Sequence, residues 1–150
     1  MSFDPSALEF ARICVSLPPI PESVAVARRA VDEFLMEEPG SDVLMTLKLV
    51  VSELMTNAVT HSSATEEIQL ALTRFLKHVH VSVRNRGPLV ELEQLRGGRA
   101  EGGRGLEIVT ALARGWSIDT RPTGTTVTVR VPAPTPPGYA PTRPTGSAGT

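Results

Sequence analysis

Cysteine is nearly absent from this chain of 150 residues, and no excess of basic charge is present. Cys14 is the only cysteine, so one chain can form neither a disulfide framework nor a thiolate zinc site. The formal net charge of −1 gives no reason to expect direct nucleic-acid binding, because neutralising phosphates takes a basic face. No signal pattern opens the chain, and the longest apolar stretch, near residues 44–51, is too short to cross a bilayer. These absences predict a cytoplasmic protein without a membrane partner.

The remaining composition is typical of one globular domain. Apolar residues make up 41% and charged residues 21%, which indicates a folded chain, and its length suffices for one sizeable core. Residues 132–150 differ, because six prolines and three glycines leave little there to pack. Burial cannot offset the entropy of ordering such a segment. We predict a folded domain over residues 1–131 and a disordered tail over residues 132–150.

Apolar periodicity predicts eight elements in the order β-α-α-β-β-α-β-β. Their ranges are 9–17 (strand), 23–38 and 43–59 (helices), 67–75 and 79–85 (strands), 105–114 (helix), and 116–120 and 125–131 (strands). Ser23 is the expected N-cap of the first helix, and either Ser41 or Asp42 caps the second. Paired strands between helices predict the α+β class: a two-layer sandwich of one mostly antiparallel sheet with helices on one face.

The segment most informative for chemistry covers residues 52–61, with the sequence SELMTNAVTH. Glu53 and Asn57 lie four residues apart on a predicted helix, and therefore on the same face, one turn apart. A carboxylate beside an amide oxygen suits a hard cation, especially if a nucleotide adds phosphate oxygens. For this pair alone, a solvated polar face is the favoured interpretation.

Three other segments carry weaker signals. Residues 102–106, GGRGL, follow a glycine-rich loop over 87–104 and open a helix, where backbone N–H groups and the helix N-terminus favour phosphate. Asn85 ends a strand two residues before Gly87, from where its side chain can read a base edge. Thr125 begins an alternating strand after a turn. Taken singly, these segments are also compatible with a flexible loop, a plain turn and an ordinary hairpin.

In their order along the chain (residues 52–61, 83–88, 102–106 and 124–132), the four segments resemble the N, G1, G2 and G3 boxes of the GHKL ATPase superfamily, which has the Bergerat fold and includes sensor histidine kinases, gyrase and the Hsp90 chaperones. The wording SELMTNAVTHS is most similar to the stand-alone anti-sigma-factor serine kinases, including many actinomycete regulators. The resemblance covers about residues 3–132. It implies a regulator that binds ATP and Mg²⁺, binds a sigma factor or an antagonist protein, and phosphorylates that antagonist on serine. Homodimers are common in the family.

The resemblance also implies roles for individual residues. Glu53 matches the general base that takes the proton from a serine hydroxyl or water, and Asn57 matches the magnesium ligand. The turn that grips the phosphates matches Gly103, Arg104 and Gly105.

On the adenine side, Thr125 matches a threonine that supports the pocket, and Gly87 matches the glycine of the G1 box. Asn85 stands where the family usually has an aspartate that accepts a hydrogen bond from the adenine amino group, and Leu89 stands near the expected second glycine. Asparagine can still accept that bond, but the charge is lost. Charged hydrogen bonds contribute about 1.5–3 kcal/mol and neutral ones about 0.5–1.5 kcal/mol, so weaker ATP binding is expected.

Two alternative functions stay open on the sequence. One is a non-catalytic or weakly nucleotide-binding interaction module of the same fold, and the other is a detached sensor-kinase catalytic domain. His78 and His80 alternate on a strand and could share a metal, although no further ligand has suitable spacing. Cys14 is expected to be a small buried apolar residue.

Overall fold

The computed structural model describes residues 8–36, 38, 41–61, 66–85, 115–136, 138 and 139. Its elements, in chain order, are β1 (Glu9–Leu17), α1 (Glu22–Phe34), α2 (Asp42–His61), β2 (Ile68–Phe75), β3 (His78–Asn85), β4 (Gly115–Arg121) and β5 (Gly124–Pro132). Each has the predicted type, and α1 ends at Phe34, four residues before the predicted end of that helix. The helix predicted over 105–114 lies outside the described residues.

The five strands form one antiparallel sheet in the order β1-β2-β3-β5-β4. Alternate side chains of β2 and β3 are buried, so one face of the sheet lies on the core. The helices α1 and α2 pack against each other, and they contact β2, β3 and β5. Helix and strand residues share a single apolar core. The two-layer α+β sandwich is confirmed, and we call the sheet face under the helices the inner face and the opposite one the outer face.

The buried stripe of α2 explains why this helix is so apolar. Its buried residues recur at three- and four-residue spacing: Val43, Leu47, Val50, Val51, Leu54, Met55 and Ala58. The prediction from residues 44–51 was an apolar stretch too short to cross a membrane, whereas by length and composition alone the whole of α2 is long and apolar enough. That stripe lies against the sheet, however, and core helices of globular domains have the same composition.

The two helices begin differently. The backbone N–H of Leu44 donates to the Oγ of Ser41 at 3.2 Å, so Ser41 is the N-cap of α2, as one of the two sequence alternatives predicted. The prediction that Ser23 caps α1 is wrong, because α1 follows Pro21 and has no side-chain cap. Ser23 is buried within the helix, and its hydroxyl donates to the carbonyl of Pro18 at 2.6 Å. A proline turn therefore leads the chain into α1.

On β1 the alternation places Ile13 and Val15 against the core and leaves Cys14 exposed on the outer face. The prediction of a buried Cys14 is therefore wrong. The alternation carried this information, because Ile13, Val15 and Leu17 are all apolar whereas Cys14 lies in the alternate set with Arg12 and Ser16.

Polar side chains occupy opposite ends of the inner face. Asn85 and Thr125 lie at one end, where β3 finishes and β5 starts. Arg74 lies near the other end, one residue before β2 finishes. Since a strand rises by about 3.3 Å per residue, the six residues from Ile68 to Arg74 separate the two ends by roughly 20 Å.

Arg74 is only 3% exposed and joins three parts of the chain. Its Nη2 lies 3.0 Å from Oε1 of Glu38, in the segment after α1, and 2.5 Å from the carbonyl oxygen of Pro134, after β5. Its Nη1 donates to the carbonyl of Phe75 at 3.0 Å, and its buried Nε has no partner among the described residues. This guanidinium therefore ties β2 to both neighbouring segments.

The chain after β5 continues along the domain. The backbone N–H of Ala133 donates to the carbonyl of Lys77 at 2.9 Å. The ring of Tyr139 meets that of Phe10 edge to face, with centroids 5.4 Å apart. Contacts with the domain therefore continue past residue 131, and residues 140–150 of the predicted tail lie outside the described residues.

Candidate functional site

Asn85 and Thr125 are direct partners across the β3–β5 pair. Both are buried on the inner face, with 6% and 5% exposure. Directly opposed residues bring their Cβ atoms to about 4.5–5.5 Å. No hydrogen bond joins either side chain to another described residue. The pair therefore has hydrogen-bonding capacity available for a ligand.

Glu53 and Asn57 border the buried stripe of α2, and both are half-buried. Nearby hydroxyl groups bond within the helix: Ser52 donates to the carbonyl of Lys48, and Thr56 to that of Ser52, each at 2.7 Å. The carboxylate of Glu53 and the amide of Asn57 are therefore the side-chain groups in this part of the helix that can bind a ligand.

The topology brings α2 and the strand pair together. The helix contacts both β3 and β5. It ends at His61, and β2 begins at Ile68, so a short connection places the C-terminal turns of α2 at the end of the sheet where β2 starts. In the β2–β3 pair, Gln69 lies opposite Arg84, so the next residue of β3, Asn85, lies at the end of the sheet where β2 starts. Asn57, Asn85 and Thr125 therefore belong to one end of the sandwich.

Gly124 is a residue of this site that the sequence analysis did not single out. It is buried beside Thr125, with a φ of +147°, a conformation that other residues rarely adopt. It lets the β4–β5 turn close and begins β5 at the level of Asn85. The glycine that follows proline and threonine was the available sequence signal.

The other predicted site residues are Gly87, Gly103, Arg104 and Gly105, and all four lie outside the described residues. Their part in phosphate binding stays a prediction. Within the described ranges, no group of three His, Cys, Asp or Glu side chains could hold a metal. The donors that the described part offers to a cation at this end are the amide oxygen of Asn57 and the carboxylate of Glu53. An oxygen donor set of this kind suits Mg²⁺ when phosphate oxygens and waters complete it.

The sequence matches a family model described as the histidine kinase-like ATPase domain over residues 17–131. No curated protein sequence matches the chain significantly.

Solved structures with the same fold include the catalytic domain of the histidine kinase ThkA, at 17% identity and a TM-score of 0.54, with 81% of this chain and 97% of that chain covered. The structure of the RsbU and RsbW domains of Rv1364c from Mycobacterium tuberculosis matches at 22% identity and a TM-score of 0.56, over 84% of this chain and 34% of that one. The histidine kinase domain of EL346 from Erythrobacter litoralis matches at 19% identity and 0.53, over 77% and 61%. At these identities the likeness is one of fold.

Proposed function

This chain belongs to the histidine kinase-like ATPase domain family, a class of nucleotide-binding, kinase-like domains, and we propose that it binds ATP with Mg²⁺ at the end of the sandwich formed by Asn57, Asn85 and Thr125. The observation that carries the proposal is the buried, directly opposed pair of Asn85 and Thr125, whose side chains bond to no other described residue. We further propose a cytoplasmic regulator of the anti-sigma-factor type, which phosphorylates an antagonist protein on serine.

Each described site residue has a distinct task in this proposal. The side-chain oxygen of Asn85 accepts from the adenine amino group, and its amide donates to a ring nitrogen. The hydroxyl of Thr125 supports the same edge, while Asn57 offers its oxygen to Mg²⁺. Bound Mg²⁺ neutralises phosphate charge during transfer. Glu53 takes the proton from the attacking serine hydroxyl.

Fold likeness to the RsbW domain and the wording of the α2 segment together support the regulatory class. A sigma factor, an antagonist protein or both are the partners that this class implies. An interaction module without phosphotransfer is the second candidate, which Asn85 favours because the usual carboxylate is missing. A detached sensor-kinase domain is the third, on the likeness to the ThkA catalytic domain. A phosphotransfer assay on candidate partners separates the three. Transfer to serine supports the regulator, no transfer supports the interaction module, and transfer to histidine supports the sensor-kinase domain.

Nucleotide binding is the first test. Isothermal titration calorimetry at millimolar ATP or ADP, with and without Mg²⁺, is expected to show binding that strengthens with Mg²⁺, together with a rise in Tm. The variant Asn57→Ala is expected to lose the Mg²⁺-dependent part. Absence of both heat and thermal shift in the wild-type protein would overturn the nucleotide proposal.

A second test restores the missing carboxylate. Asn85→Asp is expected to lower the Kd for ATP by up to roughly tenfold, because a charged acceptor recovers about 1.4 kcal/mol. The same variant without nucleotide is expected to melt at a lower temperature, since a carboxylate replaces a neutral side chain that is only 6% exposed. The ATP-induced rise in Tm should therefore exceed that of the wild type.

Gln69→Glu is the matched control for that variant. It adds the same charge at the same end of the sheet, but at an exposed position on the outer face. It is expected to leave the Kd for ATP unchanged, and because the new carboxylate would lie opposite Arg84 it should not lower the Tm. An unchanged or weaker ATP affinity of Asn85→Asp would show that position 85 does not accept from the adenine amino group.

A further inference from the structure

The outer face of the sheet carries unpaired positive charge. Among its arginines, Arg121 pairs with Asp119 at 3.1 Å, whereas Arg12, Arg84 and Arg130 form no ion pair with a described residue. Arg12 and Arg130 are exposed, and Arg84 is half-buried. Both described helices pack on the opposite face. The outer face of this chain, whose net charge is −1, thus carries three arginines without an ion pair among the described residues, and one of them, Arg84, donates to the hydroxyl of Thr123 at 3.4 Å.

The strand register arranges this face in rows that run across the strands. A central row holds only small side chains: Cys14, Ala71, Ser82, Thr128 and Ser117. Arg12 and Arg130 belong to the row on one side of it, and Arg84 belongs to the row on the other side. The small residues therefore form the floor of a shallow trough with arginines on both edges.

The neighbouring histidines do not add charge at neutral pH. Burial, followed by the positive charge of Arg130, lowers the pKa of His80 below its usual value. Burial, followed by the charges of His80, Arg130 and Arg74, also lowers the pKa of His78. The rings of Phe75, His78 and His80 lie together with centroids 4.7–4.8 Å apart; His78 stacks on Phe75, and His80, in the row of Arg12 and Arg130, is tilted against both. The positive charge of the trough near neutral pH therefore comes from the arginines.

The dimensions of the trough match those of an α-helix. Its two edge rows are four residues apart along each strand, or roughly 13 Å, and a helix with its side chains is about 10–12 Å wide. The trough crosses five strands about 4.8 Å apart, a length of roughly 19 Å, which about thirteen helical residues span. Arg12 and Arg130, three strands apart, are separated by roughly 14 Å, or about nine to ten helical residues.

We propose that the outer face binds an acidic helix of a partner protein, at least three turns long, which lies across the strands. Small or apolar residues of that helix would cover the central row. Carboxylates on its two sides would meet Arg12 and Arg130 on one edge and Arg84 on the other. This surface is separate from the inner-face nucleotide site, so the inference holds whether or not ATP binds there.

Charge argues against the other occupants of this face. A second copy placed face to face would bring its own arginines against these three, which is a repulsive arrangement. Nucleic acid gains affinity from many phosphate contacts on a basic protein, whereas this chain carries a net charge of −1 and three such arginines here. A partner with a local patch of carboxylates fits both the charge and the shape.

The test uses the full chain and a synthetic helical peptide of fifteen residues, with glutamates along both sides of an alanine- and leucine-containing strip. Cys14, the only cysteine, is exposed at one end of the trough and reports occupancy through its rate of alkylation by N-ethylmaleimide. The peptide is expected to slow that alkylation several-fold and to shift the backbone amide resonances of Ala71, Ser82 and Thr128.

Charge variants link these signals to the arginines. The double variant Arg12→Glu/Arg130→Glu is expected to raise the peptide Kd about tenfold, because two attractions become repulsions. The double variant Arg12→Gln/Arg130→Gln should give an intermediate Kd. It replaces the glutamate double variant in the test if that variant folds poorly. The matched control is Arg28→Glu/Arg29→Glu, which makes the same change of charge at exposed positions of α1 and should leave the Kd unchanged.

Several results would overturn the proposal. One is that a peptide with glutamine in place of every glutamate binds as tightly as the glutamate peptide. Another is that the peptide shifts resonances only in α1 and α2, and a third is that the peptide Kd is unchanged in both arginine variants. A fifteen-nucleotide single-stranded DNA that binds more tightly than the peptide at 0.15 M salt, and shifts the same amide resonances, would assign the face to nucleic acid. A dimer in sedimentation with these amides protected from exchange would assign it to a second copy.

Discussion

Glu53→Ala is expected to lower phosphotransfer by about 10²–10⁴-fold and to leave ATP affinity nearly unchanged. The proposed general base acts on the proton of the nucleophile, so it contributes to the transition state and little to nucleotide binding. Glu53 is half-buried at the border of the α2 stripe, and its truncation therefore opens no cavity in the core. The measurement is single-turnover transfer from labelled ATP to a candidate antagonist, with calorimetry on the same preparation.

Two variants make the comparison specific. Asn57→Ala, one turn further along α2, removes a proposed metal ligand, so here Mg²⁺-dependent binding itself should weaken. Glu33→Ala removes a carboxylate from an exposed position of α1 and should alter neither quantity. A folding defect would affect binding and turnover alike, and circular dichroism detects it. Wild-type behaviour of both α2 variants would contradict the assignment of this helix to the site, and the kinase hypothesis with it.

Arg74→Met is expected to reduce the free energy of unfolding by about 3–5 kcal/mol, because it leaves a buried carboxylate without its cation. The Arg74 and Glu38 side chains are 4% and 9% exposed, and their charged atoms lie 3.0 Å apart. The variant also removes the donors to the carbonyl groups of Phe75 and Pro134, so those acceptors lose their guanidinium partner. Urea denaturation measures the loss as a lower midpoint with an unchanged m value.

A double variant separates the ion pair from general packing. Arg74→Met/Glu38→Leu replaces both charges by apolar groups and should recover part of the stability, because buried ion pairs are often matched by apolar replacements. The surface pair of Lys48 and Asp32, at 2.8 Å, is the control, and Lys48→Met should cost at most about 1 kcal/mol. A loss below 1 kcal/mol in Arg74→Met would contradict the assignment of a desolvated pair.

Local pattern was sufficient for much of the fold. The alternation of apolar residues in β2 and β3, and the three- and four-residue spacing in α2, each identify an element and its buried side. The placement of Glu53 and Asn57 on one face of α2 was predicted in the same way, because helical geometry alone puts residues four apart on one face. The prediction for Ser23 was wrong because a serine hydroxyl can either cap a helix or bond within a turn. Here it donates to the carbonyl of Pro18.

The sequence by itself determined the α+β class, the seven described elements and their side-chain periodicity, because these depend on spacing within short segments. Only the tertiary structure decided that β5 lies between β3 and β4, and therefore that Asn85 faces Thr125, forty residues later. It also decided that Arg74 meets Glu38, and that three arginines from three strands border one row of small residues. Contacts of this kind follow from strand order and register, which are set by how all the segments bury their apolar faces together.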